Sequence, residues 1–272
     1  MYSKLSFVFY LYWVVRMSGV FEKVCVVVPA RIGSSRLPEK PLMDLCGAPM
    51  IVRVCENLKP LEDLGASIVV ATDSDRIIKE CDKFCINSKM TGSYHTCGTS
   101  RCFEASSGSG CDFVLNIQGD EPFLKVEPIV SLVKEFKSKT CSGFDIGTVA
   151  IRSCSKKDYL DPNKVKVTCD KSSKALYFSR ATIPYYRDGA EDDRYEFLLH
   201  QGVYLYRYES LKRFCKLSES QLEKKERLEQ LRAMEDGMSI YVHITETEAS
   251  FGIDTMEDLE LARKIYSQKH KG

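Results

Sequence analysis

The residues of this chain best suited to chemistry are a group of cations near its start and two acidic residues far apart along it. The stretch VCVVVPARIGSSRLPEKPL, residues 24–42, runs from an apolar segment into a loop carrying Arg31, Arg36 and Lys40. Ala30, Gly33, Ser34 and Ser35 fall between those cations, and residues without bulk let backbone N–H groups come close to an anion. Arginine presents a planar fork to phosphate oxygens and lysine a point charge, so the loop suits a triphosphate. It is neither a Walker A sequence nor a dinucleotide fingerprint, lacking the Lys-hydroxyl ending of the first and the glycine spacing of the second. The plain alternative is a solvated basic loop whose arginines pair with surface acids.

The acidic counterpart is NIQGDEP, residues 116–122. Two carboxylates at a strand end are costly unless a cation faces them. Asp120 could hold Mg²⁺, which takes one or two carboxylates and completes its shell with phosphate oxygens and water. Asp254 in FGIDTMEDL is the best candidate for a second carboxylate, although on these residues alone a helix N-cap is its stronger reading. YFSRATIPYY and HQGVYLYRY contribute Arg180, His200, Tyr204 and Tyr206, where an arginine among aromatic groups fits a carboxylate or a sugar acid. Ordinary burial at a strand end is the commoner fate of such a histidine and such tyrosines. Glu229 and Gln230 in RLEQLR sit in a charged helical run, which usually means only a wet face.

These groups need elements to position them, and the pattern supplies an α/β alternation. Apolar runs at 24–28, 67–72 and 113–117 read as buried strands. They are followed by helical periodicity at 48–58 (Met50, Ile51, Val54, Leu58), by an amphipathic helix after Ser74, and by helices near 101–105 and over 126–136. Such alternation gives a Rossmann-like, mostly parallel, doubly wound sheet. Ligands of such sheets bind beyond the carboxyl ends of the strands, so the ends at Val28, Ala71 and Ile117 should converge. The region from Phe144 to Tyr208 breaks the rhythm and reads as a small β subregion. Residues 222–235 read as one charged helix with Leu228 and Leu231 inward, 238–245 as a late strand, and 254–266 as the last helix. One compact domain from residue 17 onward is the expected organisation.

Bulk properties narrow the function. A formal net charge of +1 is not that of a general nucleic-acid binder, so any anion site must be local. The twelve cysteines include no C-x-x-C, and the four histidines are widely separated, so reduced core thiols fit better than a zinc site. LSFVFYLYWVV, residues 5–15, is too short to span a bilayer as a helix of about 20 residues, and no A-x-A-like cleavage site follows it. Residues 1–16 therefore read as the product of a mis-set start, with Met17 the true one, in preference to a membrane-associating leader. No stable membrane insertion is expected.

Taken together, PARIGSSRLPEKPL, GAPMIVRV, VVATD, NIQGDEP, DPNKVKV, ALYFSRATIPY, HQGVYLYR, LEQLR and GIDTMEDLE resemble the 3-deoxy-manno-octulosonate cytidylyltransferase (CMP-Kdo synthetase) family, in the family's order and over about residues 24–263. The loop alone would also admit cytidylyltransferases for sialic acids, whereas ALYFSRATIP with LEQLR is narrower. The resemblance implies a nucleotidyltransferase-type fold and transfer of CMP from CTP to Kdo with release of diphosphate, for lipopolysaccharide biosynthesis. It also implies Mg²⁺, a homodimer and a cytoplasmic location. By matching position it places Pro29, Ala30, Arg31, Arg36, Lys40, Asp73, Gly98 and Gln118 around the nucleotide, with Arg36, Lys40 and Asp120 catalytic. Asp120 and Asp254 become metal ligands, which lifts Asp254 above its cap reading. Arg101, Arg180, His200, Tyr204, Glu229 and Gln230 become sugar-acid contacts. The segment CGTSR departs from the family's usual Ser-Gly-Thr-Glu-Arg at Cys97 and Ser100, which leaves base contacts and the choice of sugar open. Two other readings remain: a cytidylyltransferase for a sialic acid or 8-amino-Kdo, and a nucleotide-binding regulatory domain without turnover.

Overall fold

The computed structural model describes residues 19–33, 37–138, 141, 143–247 and 250–269. Residues 1–16 and Arg36 lie outside them. The chain divides into two compact units, one of Met1–Val126 with Ser250–Gly272 and one of Glu127–Ala249.

In the first unit, β1 (Val24–Ala30) is a run of β-branched and small residues that is buried almost throughout. Such a strand must be covered on both faces, as in a parallel sheet. It pairs in parallel with β2 (Ser67–Thr72) on one side and β4 (Phe113–Asn116) on the other. β2 pairs in parallel with the short β3 (Ser88–Met90). The carboxyl ends at Ala30, Thr72 and Asn116 therefore open on the same edge, as the strand pattern predicts. Helix α1 (Met50–Glu62) buries Met50, Ile51, Val54 and Leu58, as their spacing requires, and starts after Pro49 rather than at Ala48. Helices α2 (Asp75–Lys83) and α3 (Gly98–Ser106) follow β2 and β3.

A separate apolar cluster of this unit fixes its two chain ends together. Leu37, Leu45 and Met50 pack with Ile253, Leu259 and Ala262, and Phe123 stacks on Phe251 with ring centroids 5.2 Å apart. The last helix is thereby held against the loop that follows β1.

The second unit begins with helix α4 (Val126–Lys137). Its strands are mixed, as expected of a β subregion. β5 (Ile146–Ser153) runs antiparallel to β8 (Phe197–Arg207) and parallel to β9 (Ile240–Thr245). β6 (Lys166–Cys169) pairs antiparallel with both β7 (Ala175–Ser179) and β8. The turn between β6 and β7 is closed by Asp170, whose Oδ1 accepts from the Ser172 and Lys174 amides. Short helices α5 (Lys156–Leu160) and α6 (Tyr208–Phe214) complete this part.

One expected element is corrected. Residues 222–235 are two helices, α7 (Gln221–Glu226) and α8 (Gln230–Glu235), broken at Arg227 in the left-handed region (φ 54°, ψ 48°). Leu228 and Leu231 are still buried, so the apolar spacing survives while the helix axis does not. The break places Glu229 at the N-cap of α8 instead of on a solvated helical face. The final helix, α9, spans Met256–Lys269.

Candidate active site

Lys40 is the centre of the first unit's polar group. It opens a short 3₁₀ helix, Lys40–Leu42, and the buried Pro41 follows it. Its Nζ donates to Asp120 Oδ2 at 2.6 Å and to Asp254 Oδ1 at 2.8 Å, across 80 and 214 positions of sequence. The lysine side chain is only 12% exposed, against 30% for Asp120 and 58% for Asp254. Burial by itself would push the Lys40 ammonium down, but the two carboxylates outweigh it and the net movement is upward. Lys40 is therefore a permanent cation at neutral pH.

Backbone geometry explains the convergence of the aspartates. The Ile253 amide donates to the Asp120 carbonyl at 3.0 Å, so the 250–254 segment lies along the turn after β4. Ser250 Oγ adds a 3.3 Å bond to Glu121 Oε2. Gly119 is needed in that turn, because a Cβ there would stand 2.9 Å from the Pro29 carbonyl oxygen. The cap expected of Asp254 is provided by its neighbours. Asp258 Oδ2 accepts from the amides of Asp254 and Thr255, and Thr255 Oγ1 accepts from the Asp258 amide. The Asp254 carboxylate faces Lys40 instead.

The remaining nucleotide candidates flank this group or the strand ends beside it. Pro29 and Ala30 end β1 opposite Ala71 and Thr72. Arg31 is exposed just beyond them. Gly98, the first residue of α3, packs on Pro29, since a Cβ there would meet its ring at 3.3 Å. Gln118 is half-buried and donates weakly, at 3.5 Å, to Asn116 Oδ1. Asp73 accepts from the buried Arg101 at 2.8 Å, and its other carboxylate oxygen is buried with no hydrogen-bond partner among the described residues. Arg101 also donates to Thr91 Oγ1 at 2.6 Å, so its guanidinium braces the end of β2. The two departures in CGTSR face each other. Ser100 Oγ lies 2.9 Å from His95 Nδ1 and donates to the Cys97 carbonyl at 3.2 Å. Glu104 collects His95 Nε2, the Gly92 amide and the Tyr94 hydroxyl, and so ties the preceding loop to α3.

Of the sugar-acid candidates, Arg101 belongs to the first unit, where it braces Asp73, and the others lie in the second. The Thr148 hydroxyl donates to the Val203 carbonyl at 2.7 Å and is 2.9 Å from His200 Nε2. With its proton committed, that hydroxyl must accept, which assigns the His200 proton to Nε2. Packing around the ring, which includes Phe178 and Tyr204 with centroids at 5.0 and 5.4 Å, pushes the His200 pKa down to about 3. A β-bulge in β8 separates His200 from Tyr204. Burial, and then the Glu229 charge, raise the Tyr204 phenol well above its usual range, so that hydroxyl stays protonated next to a carboxylate. Gln230 is buried, and its Nε2 finds no acceptor among the described residues. Arg180 is half-buried and sends Nε to the Glu226 carbonyl at 2.7 Å and Nη1 to the Pro162 carbonyl at 2.9 Å.

Two residues that shape this region escape a sequence reading. Lys166 is fully buried and donates to the carbonyls of Asp161, Lys164 and Arg180 at 3.0, 2.7 and 2.7 Å. Glu226 accepts from Ser179 Oγ at 2.6 Å and from the Arg180 amide at 2.9 Å. Lys166 alternates with Val165 and Val167, a pattern that reads as an outward lysine, and Glu226 sits in a charged run, so neither gives a signal in sequence.

A parallel α/β half with a lysine held between two acids beyond its strand ends defines a nucleotidyl-transferring class of protein. The cytidylyltransferase family model matches residues 25–240. A 3-deoxy-manno-octulosonate cytidylyltransferase from Koribacter versatilis is 40% identical over 248 residues, covering 91% of this chain and 92% of its own. One from Lawsonia intracellularis is 40% identical over 256 residues, covering 93% and 98%. A CMP:2-keto-3-deoxy-manno-octonic acid synthetase solved in complex with CTP superposes with a TM-score of 0.83 at 35% identity, over 91% of this chain and 100% of that one. The chain belongs to the 3-deoxy-manno-octulosonate cytidylyltransferase family.

The depressed His200 pKa has a definite sign. Its folded value lies below the ordinary 6.5, so the fold favours the neutral ring. Its contribution to stability is complete above pH 6.5 and is lost as pH falls toward 3. The His200 ring signals in an NMR titration should stay flat from pH 8 down to about 5, where an ordinary histidine would titrate.

Proposed function

We propose that the chain transfers CMP from CTP to Kdo, with Lys40, Asp120 and Asp254 serving the triphosphate and Arg180, His200, Tyr204, Glu229 and Gln230 the sugar acid. The observation that carries this is the meeting of Asp120 and Asp254 on the single buried ammonium of Lys40. In the reaction the anomeric hydroxyl of Kdo attacks the α-phosphorus and loses its proton. The bond from that phosphorus to the bridging oxygen breaks, and diphosphate leaves with the bond electrons.

The donor set fits Mg²⁺. Two carboxylates already face one cation. That is the pattern of an ion completing its shell with phosphate and water. When bound by Asp120 and Asp254, Mg²⁺ would supply Lewis-acid withdrawal of charge from the phosphate oxygens. The chain's own residues do the rest. Lys40, with Arg31 and Arg36, neutralises the charge that grows on the departing diphosphate. The protonated Tyr204 and the neutral His200 offer hydrogen bonds to sugar hydroxyls without adding charge. The unpaired donor of Gln230 gives the sugar acid an acceptor's place to fill.

A homodimer is supported by apolar surface on the second unit. Leu160 and Tyr185 are exposed beside the bonded pair Tyr159–Pro184, and Leu176 is exposed on β7. Among the described residues no helix is long and apolar enough to cross a membrane. We place the reaction in the cytoplasm, where CTP is made, and its product in lipopolysaccharide assembly.

Purified protein given CTP, Mg²⁺ and Kdo should release diphosphate, and Asp120→Asn should abolish turnover with the fold retained. Preference for a sialic acid or for 8-amino-Kdo would reassign the substrate, and CTP binding without diphosphate from any sugar acid would make the chain a regulatory domain. Gln230→Leu removes a buried unpaired donor, so the variant should be at least as stable as the parent in thermal unfolding. Its KM for Kdo should nevertheless rise by about tenfold or more, with KM for CTP unchanged.

A further inference from the structure

Glu39, immediately before Lys40, adopts φ 55° and ψ 26°, the left-handed region that a residue with a side chain enters at a cost. It is exposed between buried flanks. Leu37 is buried in the apolar cluster and Pro41 is buried behind Lys40, while Pro38 and Glu39 form an exposed corner. The corner is closed by the Lys40 amide donating to the Leu37 carbonyl at 3.2 Å and the Leu42 amide donating to the Glu39 carbonyl at 2.8 Å. A change of conformation at Glu39 would break that closure and swing the Lys40 side chain off the aspartates.

The side chain that grips this corner is Arg76. Its Nη2 donates to Glu39 Oε2 at 2.9 Å and its Nη1 to Oε1, so the guanidinium meets both carboxylate oxygens as a fork. Arg76 lies in the first turn of α2, where the Ile77 and Ile78 amides both donate to the Ser74 carbonyl. The preceding Asp73 is braced by the buried Arg101. The fork is thus aimed from a fixed base at the end of β2.

We propose that Arg76 and Glu39 form a positioning clamp that holds the strained residue before Lys40 and thereby presents the Lys40 ammonium to Asp120, Asp254 and the nucleotide phosphates. The proposal rests on the reading of Lys40 as a phosphate-binding cation. Both members are well exposed, and exposed pairs contribute little to global stability. The clamp acts on placement, where a shift of about 1 Å is costly to catalysis and nearly invisible to unfolding.

The test compares Glu39→Ala, Glu39→Gly, Arg76→Ala, the double variant Glu39→Gly with Arg76→Ala, and Lys40→Ala, by diphosphate release and thermal unfolding. Alanine keeps the backbone cost and loses the clamp, whereas glycine enters the left-handed region freely. Glu39→Ala and Arg76→Ala should each lose about fivefold or more in kcat/KM for CTP, with KM for Kdo unchanged and Tm within about 2 °C of the parent. Glu39→Gly should stay near parental activity and should restore the Arg76→Ala variant. Full activity of Arg76→Ala, or a loss in Glu39→Gly equal to that in Glu39→Ala, overturns the clamp while leaving the Lys40 reading intact. Full activity of Lys40→Ala overturns the Lys40 reading and the clamp with it.

Discussion

A buried ammonium between two carboxylates is the constraint on which the rest of the first unit depends. Neither aspartate has a reason to lie beside the other without it, because a carboxylate pair with no cation opposite repels itself. The chain meets the requirement from three remote places: the loop after β1, the turn after β4 and the approach to α9. Each contributes one charged atom, and the backbone bond from Ile253 to Asp120 together with the Leu37–Ile253 cluster brings them into register. Hydrophobic packing thus sets the position of an electrostatic group that could not assemble by attraction alone.

In the second unit, two of the residues proposed for the sugar acid are held uncharged. His200 is neutral and Tyr204 protonated because their surroundings disfavour the charged forms, and Thr148 fixes the imidazole tautomer. Two cations of that unit bind main chain. Lys166 gathers three carbonyls, and Arg180 holds those of Glu226 and Pro162. This arrangement gives hydroxyl recognition a stiff backing.

The strands β1, β2 and β4 and the helix α1 were legible because each is buried in a single periodic pattern, whereas Asp254 on its own residues read as a helix cap and was set beside Asp120 by the family resemblance. What was not legible depends on non-local contact. The break at Arg227 lies in a run whose apolar spacing is still helical, so periodicity could not reveal it. β3 is too short to carry a period. The cap on α9 falls to Thr255 and Asp258, while Asp254 turns to Lys40, a choice made by a residue 214 positions away. Nothing in the sequence marks Arg76, whose fork on Glu39 is visible only in the folded chain.

The most direct measurement of the central claim is a count of Mn²⁺ bound by electron paramagnetic resonance, Mn²⁺ standing for Mg²⁺, with CTP present and sugar acid absent. The parent protein should hold an ion that Asp120→Asn and Asp254→Asn each release to the same extent, with the double variant no worse than either. An ion retained in full by one of the single variants, or losses that simply add, would contradict a shared site.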